Sequence, residues 1–408
     1  MPVRQLVVLA LPVLASCSSF LPRDPSQPTA HAKAELEWPV RYPQVLVPIA
    51  NERVEADDLL GRQAEFELAY HVGRTEAAQP EGLDWDVRYL GVFGQGVVSQ
   101  DIGREEEGFF KTEYRVALNP HGPDEFEEAK QRDAMHRNGV LTSSILNRMD
   151  FELYAGDEPV RGLVILLSSW GGQRREVHFR EELLRRGYAV LDSAPPMKSR
   201  FRHRPEIEGP EQLAEVAQGI ASEFDSRSAD AAYGVESILD FFAERHPAYV
   251  KGDIFVVGFS AGSLTAPVIG ARLGDRIRAL VLVGSGAHFV NLSRHSTFGG
   301  RPLKITWWGD VTDEDKERLD DLYLEASRLD SYHAATHWQN RPALVINARW
   351  DDIVPSANGE ILWERLGKPD RYLTPFGHFW LFWRLPAFTD TIIEWMESHS
   401  SVGRGAER

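Results

Sequence analysis

Three side chains in this sequence have the types and the order needed to turn a hydroxyl into a nucleophile. Ser260 lies in Gly258-Phe-Ser-Ala-Gly262. A serine attacks poorly unless a histidine takes its proton and a carboxylate fixes that histidine's tautomer. Asp351 ends an apolar run and opens a loop, Ala343-Leu-Val-Ile-Asn-Ala-Arg-Trp-Asp-Asp-Ile-Val-Pro355. Its spacing to Val354-Pro355 makes it the first choice of acid, with Asp352 in reserve. His378, in Gly377-His-Phe-Trp380, follows a short strand pattern and precedes the last helix. On a sheet flanked by helices, serine, acid and histidine fall in that chain order.

The elements that must position them are legible around each one. Ile254 to Val257 is a short apolar run that reads as a buried strand, and Leu264 to Leu273, closed by Gly274, reads as a helix. Between them the chain must turn sharply, so Gly258 and Gly262 are small where strand and helix cross, and the hydroxyl projects above the sheet. Pro267 falls early in that helix and requires a late start or a kink. From about residue 140 strands and helices alternate. The strands are Asp150 to Tyr154, Gly162 to Leu167, Tyr188 to Leu191, the elbow strand, Arg278 to Val283 and Pro342 to Ile346. Helical spacing marks His178 to Arg186, Ser228 to His246 and Pro386 to Ser398. The fold class expected is α/β: a mostly parallel, doubly wound sheet whose site loops share the C-terminal rim.

With the elbow, the Asp-Ile-Val-Pro loop and the final Gly-His-Phe in this order, residues 140–398 resemble the α/β-hydrolase superfamily. The resemblance implies a catalytic triad at Ser260, Asp351 and His378, no cofactor, no metal, and a small-molecule carboxylic ester as substrate, cleaved through an acyl-enzyme. Two other readings stand beside it: a peptidase or amidase with the same triad, and a non-enzymatic binding or envelope-structural lipoprotein on a hydrolase scaffold. Oxyanion donors are expected at the N–H of Ala261 and of Trp170, the latter in Ser168-Ser-Trp-Gly-Gly172, where many relatives carry His-Gly. Residues 291–340 read as a cap. Trp350 and Phe379, with Trp170 and Trp380, are expected either to wall an apolar substrate pocket or to be core. Arg202, in Lys198-Ser-Arg-Phe-Arg-His-Arg204, is either a contact for an anionic substrate or headgroup or part of a solvated loop.

The chain has 408 residues, a net charge of −16 and a pI near 5.3, which argues against nucleic acid as a partner. Residues 1–16 hold one charge, Arg4, and then a short apolar run, the pattern of a secretory signal. Leu14-Ala-Ser-Cys17 resembles the lipobox of bacterial lipoproteins. That resemblance implies a lipidated Cys17, a membrane anchor and a place in the cell envelope, with Ser18 favouring the outer membrane, facing the periplasm. Cys17 is the only cysteine, so no intramolecular disulfide exists. Residues 17–34 read as a flexible tether, 35–139 as a β-rich extension with strands near Ala64 to Val72, Trp85 to Val98 and Lys111 to Leu118, and 399–408 as a tail. The extension is either a packed addition to the main domain or a separate module. Oligomeric state is left open.

Overall fold

The structure, a computed structural model, describes residues 20–21, 32–38, 65–67, 95–97, 109–118, 147–156, 161–169, 174–193, 203–298 and 302–401. Eight strands form the main sheet: β1 Phe109–Leu118, β2 Asn147–Gly156, β3 Gly162–Leu167, β4 Ala189–Ser193, β5 Asp253–Phe259, β6 Ala279–Val283, β7 Ala343–Ala348 and β8 Asp370–Thr374. They run in the order β1-β2-β4-β3-β5-β6-β7-β8, and Phe20–Leu21 adds two residues beyond β8. Strand β2 is antiparallel to both β1 and β4. From β4 to β8 all pairings are parallel. This is the α/β-hydrolase fold.

The described α-helices of six residues or more are α1 Arg174–Arg185, α2 Leu213–Arg245, α3 Ala266–Leu273, α4 Phe289–His295, α5 Asp313–Ala326, α6 Ser356–Arg365, α7 His378–Trp383 and α8 Leu385–Ser398. Strand alternation divides them into two layers. Leu163, Ile165 and Leu167 of β3 face α2, α3 and α6, with Val235, Leu239, Val268, Ile269 and Leu362. Val164 and Leu166 face α1, α7 and α8, with Phe179, Leu183, Leu381, Ile392 and Met396. Parallel strands covered on both faces must be apolar throughout, which is why β3, β6 and most of β5 are unbroken apolar runs.

Three boundaries differ from the sequence reading. Lys111 to Leu118 was expected in the extension, yet Phe109–Leu118 pairs with β2 over ten residues and so belongs to the main sheet, which reaches well ahead of residue 140. Period-2 alternation identifies a strand but not its partner. Of the other extension strands, Glu65–Glu67 and Gln95–Val97 pair with each other; Leu36 and Trp38 pack against the sheet core, and the rest of that region lies outside the described residues, as do 1–19 with Cys17. Helix α2 starts at Leu213, fifteen residues before the expected Ser228. Its first half carries Leu213, Ala217, Ile220, Ala221 and Phe224 into a third core with α4 and α5, away from the sheet. That core unites residues from 207–224 with others from the 291–340 stretch expected to be a cap, and a short ladder joins Glu206–Ile207 to Thr306–Trp307. Conversely, Ala334, Ala335 and Trp338 belong to the sheet core.

Two carboxylates, Asp330 buried and Asp225 half-buried, tie these segments together. Asp330 accepts from the N–H groups of His288, Phe289 and Tyr332 at 2.7–2.9 Å and from the Tyr323 hydroxyl at 2.8 Å. Asp225, on α2, accepts from the Ser327 hydroxyl and from the N–H groups of Arg328 and Leu329 at 2.6–3.0 Å. Helix α5 begins where Thr312 and Asp315 cap each other reciprocally.

Burial pushes the Asp225 carboxyl up to about 6, from an ordinary 3.8, against the hydrogen bonds that favour its charge. A raised folded value means that this group's contribution to stability is full below pH 3.8 and is lost as pH rises past about 6. We therefore expect the unfolding free energy of the wild type, measured against Asp225→Asn, to fall by roughly 2–3 kcal/mol between about pH 4 and about pH 8 in urea titrations. A difference that stays flat over that range contradicts the assignment.

Candidate active site

Strand β5 delivers Ser260 in a backbone conformation that serine rarely adopts, with φ at 49°. The position is forced by crowding on both sides. A Cβ on Gly262 would meet the Leu167 carbonyl oxygen at 2.1 Å, and one on Gly258 would meet Ser263 Cα at 2.6 Å. The chain leaves the turn as a tight 3-10 segment, Ser260–Leu264, before α3 begins at Ala266. Pro267 thus falls in the first helical turn, where its missing N–H costs nothing.

The three expected side chains meet. Ser260 Oγ lies 3.0 Å from His378 Nε2, and His378 Nδ1 lies 2.7 Å from Asp351 Oδ2. An ionised carboxylate only accepts, so the imidazole keeps its proton on Nδ1 and offers the Nε2 lone pair to the serine hydroxyl. Asp351 is held in turn by the N–H groups of Ile353 and Val354, both donating to Oδ1 at 3.0 and 2.8 Å. His378 and Asp351 are buried, whereas Ser260 is half-exposed. Asp352, the reserve acid, is exposed and accepts from the Thr297 hydroxyl instead. Two neighbours fix the imidazole plane. Phe382 lies 4.9 Å away, ring to ring. Gly284, at φ 61°, leaves room that a Cβ would take from His378 Cε1, at 3.1 Å.

The oxyanion side is half described. Ala261 follows the serine in the first turn, where an amide has no acceptor within its own helix. Trp170 and Arg202 lie outside the described residues. The loop that leads to Trp170 is braced by groups the sequence reading missed. Ser168 donates its hydroxyl proton to Asp192 at 2.7 Å, and Arg180 donates to the same carboxylate at 2.8 Å. The Ser169 N–H donates to Glu176 at 3.2 Å. Burial raises the Glu176 carboxyl above the usual carboxylate range. Glu176 opens helix α1, and an acid in a first helical turn so soon after the Ser-Ser pair was the available signal.

The third core abuts the site, since Leu264 from the elbow and Val354 from the acid loop both pack into it. Trp350 and Phe379 adjoin the acid and the histidine in sequence, but their side chains are exposed and turned outward. Trp380 is exposed as well. They form a rim rather than the wall of an enclosed pocket, because α7 packs His378, Leu381 and Phe382 inward and leaves the opposite face to the aromatics.

No protein-family model and no curated protein matches the chain. Among solved structures it is similar to Est1E from Butyrivibrio proteoclasticus, at 16% identity over 62% of this chain and 94% of that one, with a TM-score of 0.40. It is also similar to a PEG-bound cold-adapted esterase from an Arctic intertidal metagenomic library, at 12% identity over 70% and 94%, with a TM-score of 0.41. The Pyrococcus furiosus esterase Pf2001 is similar at 18% identity over 61% and 88%, with a TM-score of 0.38. Likeness this distant says nothing of chemistry, which rests on the geometry above.

If Asp351 fixes the tautomer, Asp351→Asn leaves the fold intact and lowers kcat by about 10⁴. Steady-state kinetics beside a thermal melt check this. A drop in kcat of less than about tenfold would mean that the carboxylate does not orient His378.

Proposed function

We propose that this chain is a serine hydrolase that cleaves a carboxylic ester through an acyl-enzyme. The observation that carries the reading is the unbroken path from Asp351 through His378 to a Ser260 held at positive φ. Ser260 Oγ attacks the ester carbonyl carbon while its proton moves to His378 Nε2. The oxyanion that forms is stabilised by the N–H of Ala261 and by a second donor from the loop after β3, assigned to Trp170. As the tetrahedral adduct collapses, His378 returns the proton to the departing alkoxide, and the acyl group stays on Ser260. A water molecule then repeats the sequence, losing its proton to Nε2, and Ser260 leaves with that proton as the free acid departs. Asp351 stays ionised throughout and stabilises the imidazolium.

The wider reading places this activity in the cell envelope, on the periplasmic side of the outer membrane, with a lipid on Cys17 after removal of residues 1–16. The segment 17–34, expected to be a flexible tether, is instead held against the domain where it is described, by Phe20–Leu21 pairing with β8 and by Ala34, whose N–H donates to the Thr336 hydroxyl at 2.9 Å and whose carbonyl meets His337 Nε2 at 2.7 Å; the hydrolase domain is taken to run to residue 398. No cofactor is required for the steps above.

Ester rather than amide is proposed because an alkoxide leaves with less assistance than an amine. Ser260→Ala is expected to lower kcat on p-nitrophenyl esters by about 10⁴–10⁶ without lowering the melting temperature. A panel of such esters of different chain length, run beside aminoacyl amides, checks the leaving-group assignment. Faster turnover of the amides would overturn it, and full activity in the Ser260→Ala variant would overturn the mechanism.

A further inference from the structure

Helix α7 is apolar on both faces. A surface helix normally keeps its apolar side inward and its polar side in water. Here the one polar residue, His378, points inward, while Phe379, Trp380 and Trp383 are 62%, 57% and 53% exposed. Positions 379, 380 and 383 share one helical face, and the rings of Trp380 and Trp383 meet edge to face at 5.1 Å. Trp350, 67% exposed, joins them from the acid loop. Its N–H donates to the Phe376 carbonyl at 3.0 Å, which seats it against the start of the same segment. Exposed Pro375 and Pro386 extend the surface at either end.

Two cations flank these rings, Arg349 and Arg384, the first exposed and the second half-exposed. Among the described residues neither has a carboxylate partner. A clustered apolar surface of this kind marks a place of contact. Indole and guanidinium at the margin of apolar rings are the composition of a surface that lies in a membrane interface: the rings reach the acyl boundary, and the N–H groups and cations stay with the headgroups.

Chain direction points to the same occupant. Phe20 pairs with Tyr372 and Leu21 with Arg371, antiparallel to β8. The N-terminal end of this two-residue strand therefore faces the C-terminal end of β8, where Pro375 and the aromatics stand. Cys17 is three residues before Phe20, within about 11 Å of it by chain length alone. This step rests on Cys17 being the site of lipid attachment, which would bring its acyl chains into the bilayer beside the exposed rings.

We propose that Trp350, Phe379, Trp380 and Trp383, flanked by Arg349 and Arg384, seat the catalytic edge of the sheet on a phospholipid bilayer. The rings flank Asp351 and His378, so the rim of the active site is the part of the protein nearest the lipid. Trp350 and Phe379 are thereby lipid contacts rather than pocket walls.

The test uses the full chain, reconstituted in vesicles of phosphatidylethanolamine and phosphatidylglycerol with or without bromine at mid-chain. Bromine quenches only tryptophans that reach the acyl region. Wild-type fluorescence is expected to be quenched, and Trp383→Ser/Arg384→Ser is expected to lose at least about a third of the quenched component. Its turnover of an ester dispersed in the vesicles is expected to fall about fivefold or more, while turnover of a water-soluble ester stays within about twofold. Trp383→Gln alone serves if the double variant melts early. Unquenched wild-type fluorescence overturns the proposal, as does quenching unchanged in the variants. A detergent-solubilised dimer in which these tryptophans are shielded overturns it too and assigns the surface to a second copy. Because quenching needs no turnover, a protein inactive on every ester sinks the hydrolase reading and leaves this one standing on its own measurement.

Discussion

The close crossing of two backbones holds this site together. Gly262 rests against the carbonyl of Leu167 at a distance that admits no Cβ. That contact pins the turn after β5 to the end of β3, the strand that also leads into the proposed oxyanion loop. Ser260 is left at a positive φ that it would not take in a free chain. The cost of that conformation is offset by the buried strands on both sides, whose apolar faces meet helices above and below. Hydroxyl, imidazole and carboxylate then converge at one edge because parallel strands bring their C-terminal ends to the same rim.

How much of this was legible depends on what constrains each residue. Ser260, Asp351 and His378 were readable because their chemistry demands fixed types in a fixed order, and each stands at the end of a recognisable strand. The core strands were readable because burial on both faces leaves little choice of residue. The first strand was recognised as a strand, but its place beside β2 was not, since alternation carries no information about pairing. The front half of α2 was obscured by Gly219 and by the serine-rich run near residue 226, although Leu213, Ala217, Ile220 and Phe224 do keep helical spacing. The roles of Asp225 and Asp330 were invisible in sequence because a bridging carboxylate is defined by its partners. Those partners lie about a hundred residues downstream for Asp225 and about forty upstream for Asp330.

The molecule places its charges unevenly. Inside, carboxylates are surrounded by donors: Asp351 by an imidazole and two amides, Asp330 by three amides and a phenol, Asp225 by two amides and a hydroxyl. Each gives several N–H or O–H groups an acceptor they would otherwise lack, which is the condition for burying charge at all. Outside, beside the same active site, the side chains are aromatic and open to solvent. The acidic surface implied by a net charge of −16 is thus interrupted next to the triad, and the direction of Trp350 and Phe379, unlike their identity, was not something the sequence disclosed.

The central claim is that one hydroxyl among the many in this chain is activated by an adjacent imidazole and carboxylate. Treating the folded protein with a fluorophosphonate and mapping the adduct by peptide mass spectrometry tests it most directly. The account predicts a single phosphonylated residue, Ser260, with labelling slowed sharply when His378 is replaced by glutamine. Modification spread over several serines, or none at Ser260 in a protein that remains folded, would contradict it.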